Sequence, residues 1–256
     1  MEVFLNPDAW IALLTLTFLE IVLGIDNIIF ISIATGKLPT ESRKKATKIG
    51  MFLAMFMRIG LLMGINLLIQ MKKPWFAIDL SWFSAGITGQ SIILLLGGLF
   101  LIYKSTNEIR EKVDEKGHEE KEISRAATKS FQNVLLQIIM IDLVFSFDSI
   151  LTAVGMTNGV EGAMYIMITA VVVSVFIMMQ FAVPVGSFVN RHPSIQILGL
   201  SFLILIGFML LTESAHLSHA LIFGNHVTPV PKGYLYFAIS FSLFVEVLNM
   251  KVSKKK

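Results

Sequence analysis

Long apolar runs separated by short polar stretches organise this chain. They fall at about 10–34, 49–69, 84–103, 131–154, 163–183, 195–212 and 234–250. Each reaches or approaches the roughly 20 residues a helix needs to cross a hydrocarbon core. Each is read as helix, because lipid offers backbone N–H and C=O groups no partner outside their own segment. The pattern predicts an all-α, polytopic membrane protein with seven transmembrane helices. Composition agrees, since 55% of the 256 residues are hydrophobic, well above what soluble domains carry.

Charge adds an orientation. Basic residues gather on alternate connections: Lys37, Arg43, Lys44, Lys45 and Lys48 in the first, and Lys104, Arg110, Lys112, Lys116, Lys121, Arg125 and Lys129 in the third. Arg191 lies in the fifth, and Lys251, Lys254, Lys255 and Lys256 form the tail. The opposite side carries Lys72, Lys73 and Lys232. The positive-inside rule then places the N-terminus outside and the C-terminus in the cytoplasm of a cell membrane. The formal net charge of +3 follows loop position and gives no reason to expect nucleic acid. Absence of cysteine removes disulfides and thiolate metal sites. The stretch Met1–Asp8 has neither a basic n-region nor a small-residue cleavage site, so the first segment is expected to be retained.

The chain reads as two three-helix halves and a seventh helix: 1–103, a charged cytoplasmic linker at 104–130, 131–230 with an external loop, and 231–256 with the basic tail. His118 in the linker reads as solvated. Three spans per half make the second half enter the membrane from the other side, which is an inverted-topology repeat.

Two acidic motifs carry the chemistry. The first is Glu20-Ile-Val-Leu-Gly-Ile-Asp26-Asn27, and the second is Asp142-Leu-Val-Phe-Ser-Phe-Asp148-Ser149, 122 positions later. At the same offset Arg58 in the second segment matches Gln180 in the fifth. A carboxylate at the bilayer centre costs about 2.5–3.5 kcal/mol on insertion scales, so four left unpaired would cost on the order of 10 kcal/mol. Counting from segment midpoints puts all four within about 6 Å of mid-depth. Glu20 and Asp148 are expected at the outer level, and Asp26 and Asp142 at the inner. Six residues are about 240° of helical turn, so two acids of one motif share a face only if the helix breaks at Gly24 or Ser146. The spacing leaves that open.

Carboxylates with Asn27, Ser149, Thr152 and Asn66 make an all-oxygen set suited to Mg²⁺, Ca²⁺ or Mn²⁺. The fourteen methionines read as packing or lipid-facing residues. Arg58 either pairs structurally with one acid or takes a direct part in transport. Glu246 reads as snorkelling to the interface. His216, His219 and His226, with Glu213, lie in the 213–233 connection, where an ordinary polar loop and an exit site for metal are both open readings.

At these motifs the chain resembles the TerC family of integral membrane proteins. The phrase Phe18–Phe30, the second motif Asp142–Ile150, Gly97–Lys104 and Tyr236–Glu246 all look like that family. The resemblance implies a seven-helix protein related to the LysE transporter superfamily, with members linked to manganese export and homeostasis. It makes Glu20, Asp26, Asn27, Asp142, Asp148 and Ser149 the expected metal residues, with Arg58 a charge partner. It also makes Mn²⁺ the expected transported ion, with no tightly bound cofactor. Gln90-Ser91 departs from a basic–acidic pair in many relatives.

The expected function is therefore secondary export of a divalent cation, most plainly Mn²⁺. Alternatives are Ca²⁺, Na⁺/H⁺ or an amino acid as substrate, or a membrane partner of the secretion machinery that supplies metal to exported proteins. An intramembrane aspartyl protease lacks its Gly-x-Gly-Asp signature here, so no enzyme is expected. No ATP-binding motif is present, so the energy would come from an ion or voltage gradient. Oligomeric state is not legible. Reporter fusions after Lys48, near Lys116 and after Lys256 should report cytoplasm, and fusions within 72–80 or 213–233 the exterior. One reversed reporter would mean a miscounted span.

Overall fold

A computed structural model describes residues 6–115, 131–157 and 160–253, leaving aside the side chains of Asp26, Glu115 and Ser253. Its long helices are α1 (Pro7–Gly36), α2 (Thr40–Met63), α4 (Gly89–Glu115), α5 (Phe131–Met156), α6 (Ala163–Arg191), α7 (Pro193–Leu217) and α8 (Lys232–Ser253). All seven are long and apolar enough to cross a membrane. Many outward side chains are large and apolar, among them Trp10, Leu14 and Phe18 on α1 and Phe237 and Phe241 on α8. A water-facing surface would not carry so continuous an apolar face. The chain is a multi-pass membrane protein of all-α class.

Local chemistry explains the helix ends. The Asn6 side chain accepts from Asp8 N–H at 3.0 Å, and Pro7 takes the first helical position of α1. Pro193 does the same for α7. Pro184 lies inside α6 without ending it, as membrane helices allow.

Several expected segments change at their ends. The second span stops at Met63, and Ile65–Gln70 forms a separate short helix, α3. The third begins at Gly89 rather than 84, because 83–88 pairs as a strand. It continues to Glu115, over the first part of the stretch read as linker. There Lys104 pairs with Glu108 at 2.7 Å one turn away. Residues 116–130, with His118 and Lys116, lie outside the described part.

A small antiparallel sheet was not anticipated. Its strands β1 (Pro74–Asp79), β2 (Phe83–Thr88), β3 (Leu221–Ile222) and β4 (Asn225–His226) lie in that order. Leu80 and Phe83 close the first hairpin with reciprocal backbone bonds of 2.7 and 3.2 Å. Phe223 and Gly224 both have positive φ and close the second, the backbone a two-residue hairpin requires. The β2–β3 pairing joins two connections that the span count puts on one side of the membrane.

The helices fall into two compact units. In the first, α1 packs on α6 and α2 on α5, with further contacts of α1 to α5 and α2. Small residues allow close approach. A Cβ built on Gly24 of α1 would overlap the Met178 sulfur of α6, and one on Gly50 of α2 would lie 2.9 Å from Ile138 Cδ1 of α5.

The second unit holds the sheet, α4, α7 and α8. A Cβ on Gly98 would meet the Gly207 carbonyl at 2.7 Å, and one on Gly207 the Gly98 carbonyl at 2.9 Å. Here α4 and α7 touch backbone to backbone. Gly98→Val or Gly207→Val must push the helices apart and should destabilise the purified protein by about 1–3 kcal/mol, the usual range for overpacking. Gly60→Ala, with nothing within 4 Å of its Cβ, should be neutral. Thermal unfolding in detergent measures all three, and equal midpoints would show that the helices cross elsewhere.

Candidate functional site: a buried arginine between two carboxylates

The polar centre of the first unit is built from three helices. Arg58 projects from α2 and is 4% exposed. Its Nη1 donates to Glu20 Oε2 of α1 at 2.5 Å. Its Nη2 and Nε donate to the two oxygens of Asp142 on α5 at 2.7 and 3.3 Å. Glu20 and Asp142 are 5% and 4% exposed. The planar fork of a guanidinium is suited to holding one carboxylate with two donors while a third bond goes elsewhere, which a lysine cannot do.

Asp142 is the better satisfied acid. Asn27 Nδ2 donates to its Oδ1 at 3.3 Å, and Ser146 Oγ to its Oδ2 at 3.0 Å. With two bonds from Arg58 this fills the four or so lone-pair directions of a carboxylate. Glu20 has Arg58 as its hydrogen-bond partner and also lines a cavity of about 10 Å³ with Leu16, Leu62, Ile150 and Met167. That is room for about one water-sized sphere. Leu16 also borders a larger open pocket of about 250 Å³ with Asp8, Thr15, Met156 and Thr157. The Asn27 Oδ1 is buried without a partner among the described residues. An acceptor so placed is an exception among buried polar groups.

The candidate residues divide as follows. Glu20, Asn27 and Asp142 come together with Arg58. Arg58 takes two acids rather than the single partner expected of a structural pairing. Glu20 and Asp142, expected at the outer and inner levels, both reach one guanidinium. Asp148 is half-buried on α5, and its carbonyl accepts from Thr152 Oγ1 at 3.0 Å. Ser149 is buried and its hydroxyl donates to the Ser146 carbonyl of its own helix at 3.2 Å. Asp26 lies on α1, and its side chain is outside the described part. Among the described residues no three His, Cys, Asp or Glu side chains gather as a metal cage. His216, His219 and His226 are therefore not a cluster. Asn66 is exposed on α3, and Glu246 is half-buried on α8.

Neither acidic helix is broken. α1 runs through Gly24 and α5 through Ser146. Gly24 serves instead as the seat of Met178, and Ser146 as a donor to Asp142. Ser146 was not anticipated as a site residue, although its i, i+4 spacing from Asp142 carried the signal. Gln180, the repeat partner of Arg58 by sequence, is exposed on α6. Gln90 and Ser91 lie within the first turn of α4 and are buried. Gln90 Nε2 donates to the Leu68 carbonyl at 2.7 Å. Thr88 and Ser91 exchange backbone-to-hydroxyl bonds of 3.0 Å each, a reciprocal cap for α4.

The sequence matches the integral membrane protein TerC family over residues 5–256. It is 47% identical to the UPF0053 inner membrane protein YgdQ of Escherichia coli K12, over 98% of this chain and 96% of that protein. It is 43% identical to a UPF0053 protein of Haemophilus influenzae, over 97% and 96%. The UPF0053 inner membrane protein YoaE of Escherichia coli K12 is 42% identical over 97% of this chain, which spans 44% of YoaE. No solved structure matches. With this coverage from end to end, the chain belongs to the TerC family of integral membrane proteins.

Proposed function

We propose that this protein is a secondary transporter that exports a divalent cation, Mn²⁺ by its family resemblance, through the acidic centre of its first unit. The observation that carries the reading is the buried group of Glu20, Asp142 and Arg58 with the unpartnered Asn27 Oδ1 beside it. Two acids and one guanidinium leave a net negative charge, and Asp26 and Asp148 of the same motifs would add to it. Ionisable groups at membrane depth are rare, pair with one another and mark ion pathways. The donor atoms are oxygens, which suit Mn²⁺ and its hard neighbours.

Arg58 is the built-in counter-ion in this reading. An arriving cation competes with the guanidinium for Glu20, whose carboxylate lines the small cavity, while Asp142 keeps the arginine anchored. Leu16 then forms the wall between that cavity and the open pocket near Asp8, at the end of α1 that the charge bias puts outside. The inverted repeat has support of its own. Exchanging α1, α2 and α4 for α5, α6 and α7 turns the α1–α6 packing into the α5–α2 packing and returns α4–α7 to itself.

Two outcomes test this. Arg58→Gln leaves two buried carboxylates without their cation and should cost about 3–5 kcal/mol of stability, as breaking buried pairs does. Mn²⁺ added to the purified variant should recover part of that loss and raise its unfolding temperature more than the wild type's. A variant that Mn²⁺ does not rescue would make the acids mere structural partners of the arginine.

Transport itself is tested in cells. Asp26→Asn or Asp148→Asn should leave the protein in the membrane, since neutral side chains insert more easily, yet abolish export. Cells carrying either variant should accumulate Mn²⁺ and show the metal sensitivity of a deletion strain, whereas Lys116→Ala should behave as wild type. Normal Mn²⁺ flux in vesicles carrying both Asn changes would overturn the mechanism. Altered Ca²⁺, Na⁺ or amino-acid flux with unchanged Mn²⁺ handling would replace the substrate.

A further inference from the structure

A second polar feature of the first unit lies away from the acids. Where α1 ends, α2 begins and α6 ends, an open cleft of about 270 Å³ is lined by Arg43, Lys44 and Arg191, with Thr40, Ser187 and Asn190 between them. None of its lining side chains is acidic. Arg43 is held in place by its own bond, Nε donating to the Leu38 carbonyl at 2.8 Å. Thr47 Oγ1 donates to the Arg43 carbonyl at 3.0 Å and fixes the same turn. Ala182 and Val183 form an apolar wall that runs along α6 away from the charged rim.

We propose that this cleft binds a phosphate group through Arg43, Lys44 and Arg191, with the hydroxyls of Thr40 and Ser187 as further donors. Guanidinium groups match phosphate with paired N–H donors, and an ammonium adds a point charge. Three cations in one concave site without an acid repel one another, and an anion removes that cost. The cleft opens at the ends of three membrane-crossing helices, the depth of lipid phosphates. Basic pockets between membrane helices at this depth recognise anionic headgroups, and the wall of Ala182 and Val183 suits the start of an acyl chain. A soluble phosphate offers the same group without the chain.

The test uses the full-length protein in detergent with two probes: phosphatidylglycerol, counted as retained lipid by native mass spectrometry against phosphatidylcholine, and inorganic phosphate, followed by thermal shift. Lys44→Gln with Arg191→Gln should weaken the binding probe by up to about thirtyfold, at about fivefold per surface cation. Lys45→Gln with Lys48→Gln removes the same charge from α2 outside the cleft and should leave binding intact. The single variant Lys44→Gln, an exposed side chain, serves if the double change does not fold. A loss confined to phosphatidylglycerol identifies the lipid as the source, and one confined to inorganic phosphate identifies a soluble anion; both support the site. Equal losses from the two double variants, or a wild type that holds neither probe above the phosphatidylcholine level, would overturn it.

Discussion

A charged group inside a membrane has no water to turn to, and this protein answers with Arg58. One guanidinium satisfies two carboxylates on two other helices. Removing Arg58 would leave two buried carboxylates uncompensated, a far larger penalty than the pairs are worth as stabilisers. The triad therefore dictates where α1, α2 and α5 can stand relative to one another. Asn27 and Ser146 are placed by the same demand, since both bring donors to Asp142.

Within each unit the packing is close because the helices carry small residues at their contacts. Lipid provides no hydrophobic drive between membrane helices, so close contact has to supply the attraction. Met178 filling the space over Gly24 and the mutual approach of Gly98 and Gly207 are the clearest instances. The first lies beside an acidic motif, so the glycine that resembles a hinge in sequence acts as a socket in the fold. A continuous α1 results, and its two motif acids keep the roughly 240° separation of a regular helix.

The spans were legible because their signal is strong: long apolar runs bounded by charge. The acids were legible because charge at membrane depth is rare. What escaped depends on partners distant in sequence. The strand 83–88 looks like the start of an apolar span and becomes a strand only because 74–79 and 221–222 pair with it. The helix beyond Lys104 looks like a charged linker, yet Glu108 is buried in the fold. Gln180 matches Arg58 by spacing, but burial is a property of packing, and only Arg58 is enclosed. At Ser146 the spacing points to a break in the backbone, whereas its hydroxyl is what reaches Asp142. For Arg58 the sequence leaves open a pairing with one acid or a direct part in transport, because a one-dimensional pattern cannot show that two helices present their carboxylates to the same side chain.

The small sheet has a mechanical meaning. β2 ends at Thr88 and α4 starts at Gly89, with the reciprocal Thr88–Ser91 cap at the junction. Ser214 of α7 donates to the Ser91 carbonyl at 2.6 Å, so α7 grips the same point. No slack separates the sheet from the spans beneath it. A force or a binding partner acting on the exposed aromatic rim at Trp82 and Phe223 would be felt at once by α4 and α7, as on the handle of a rigid tool.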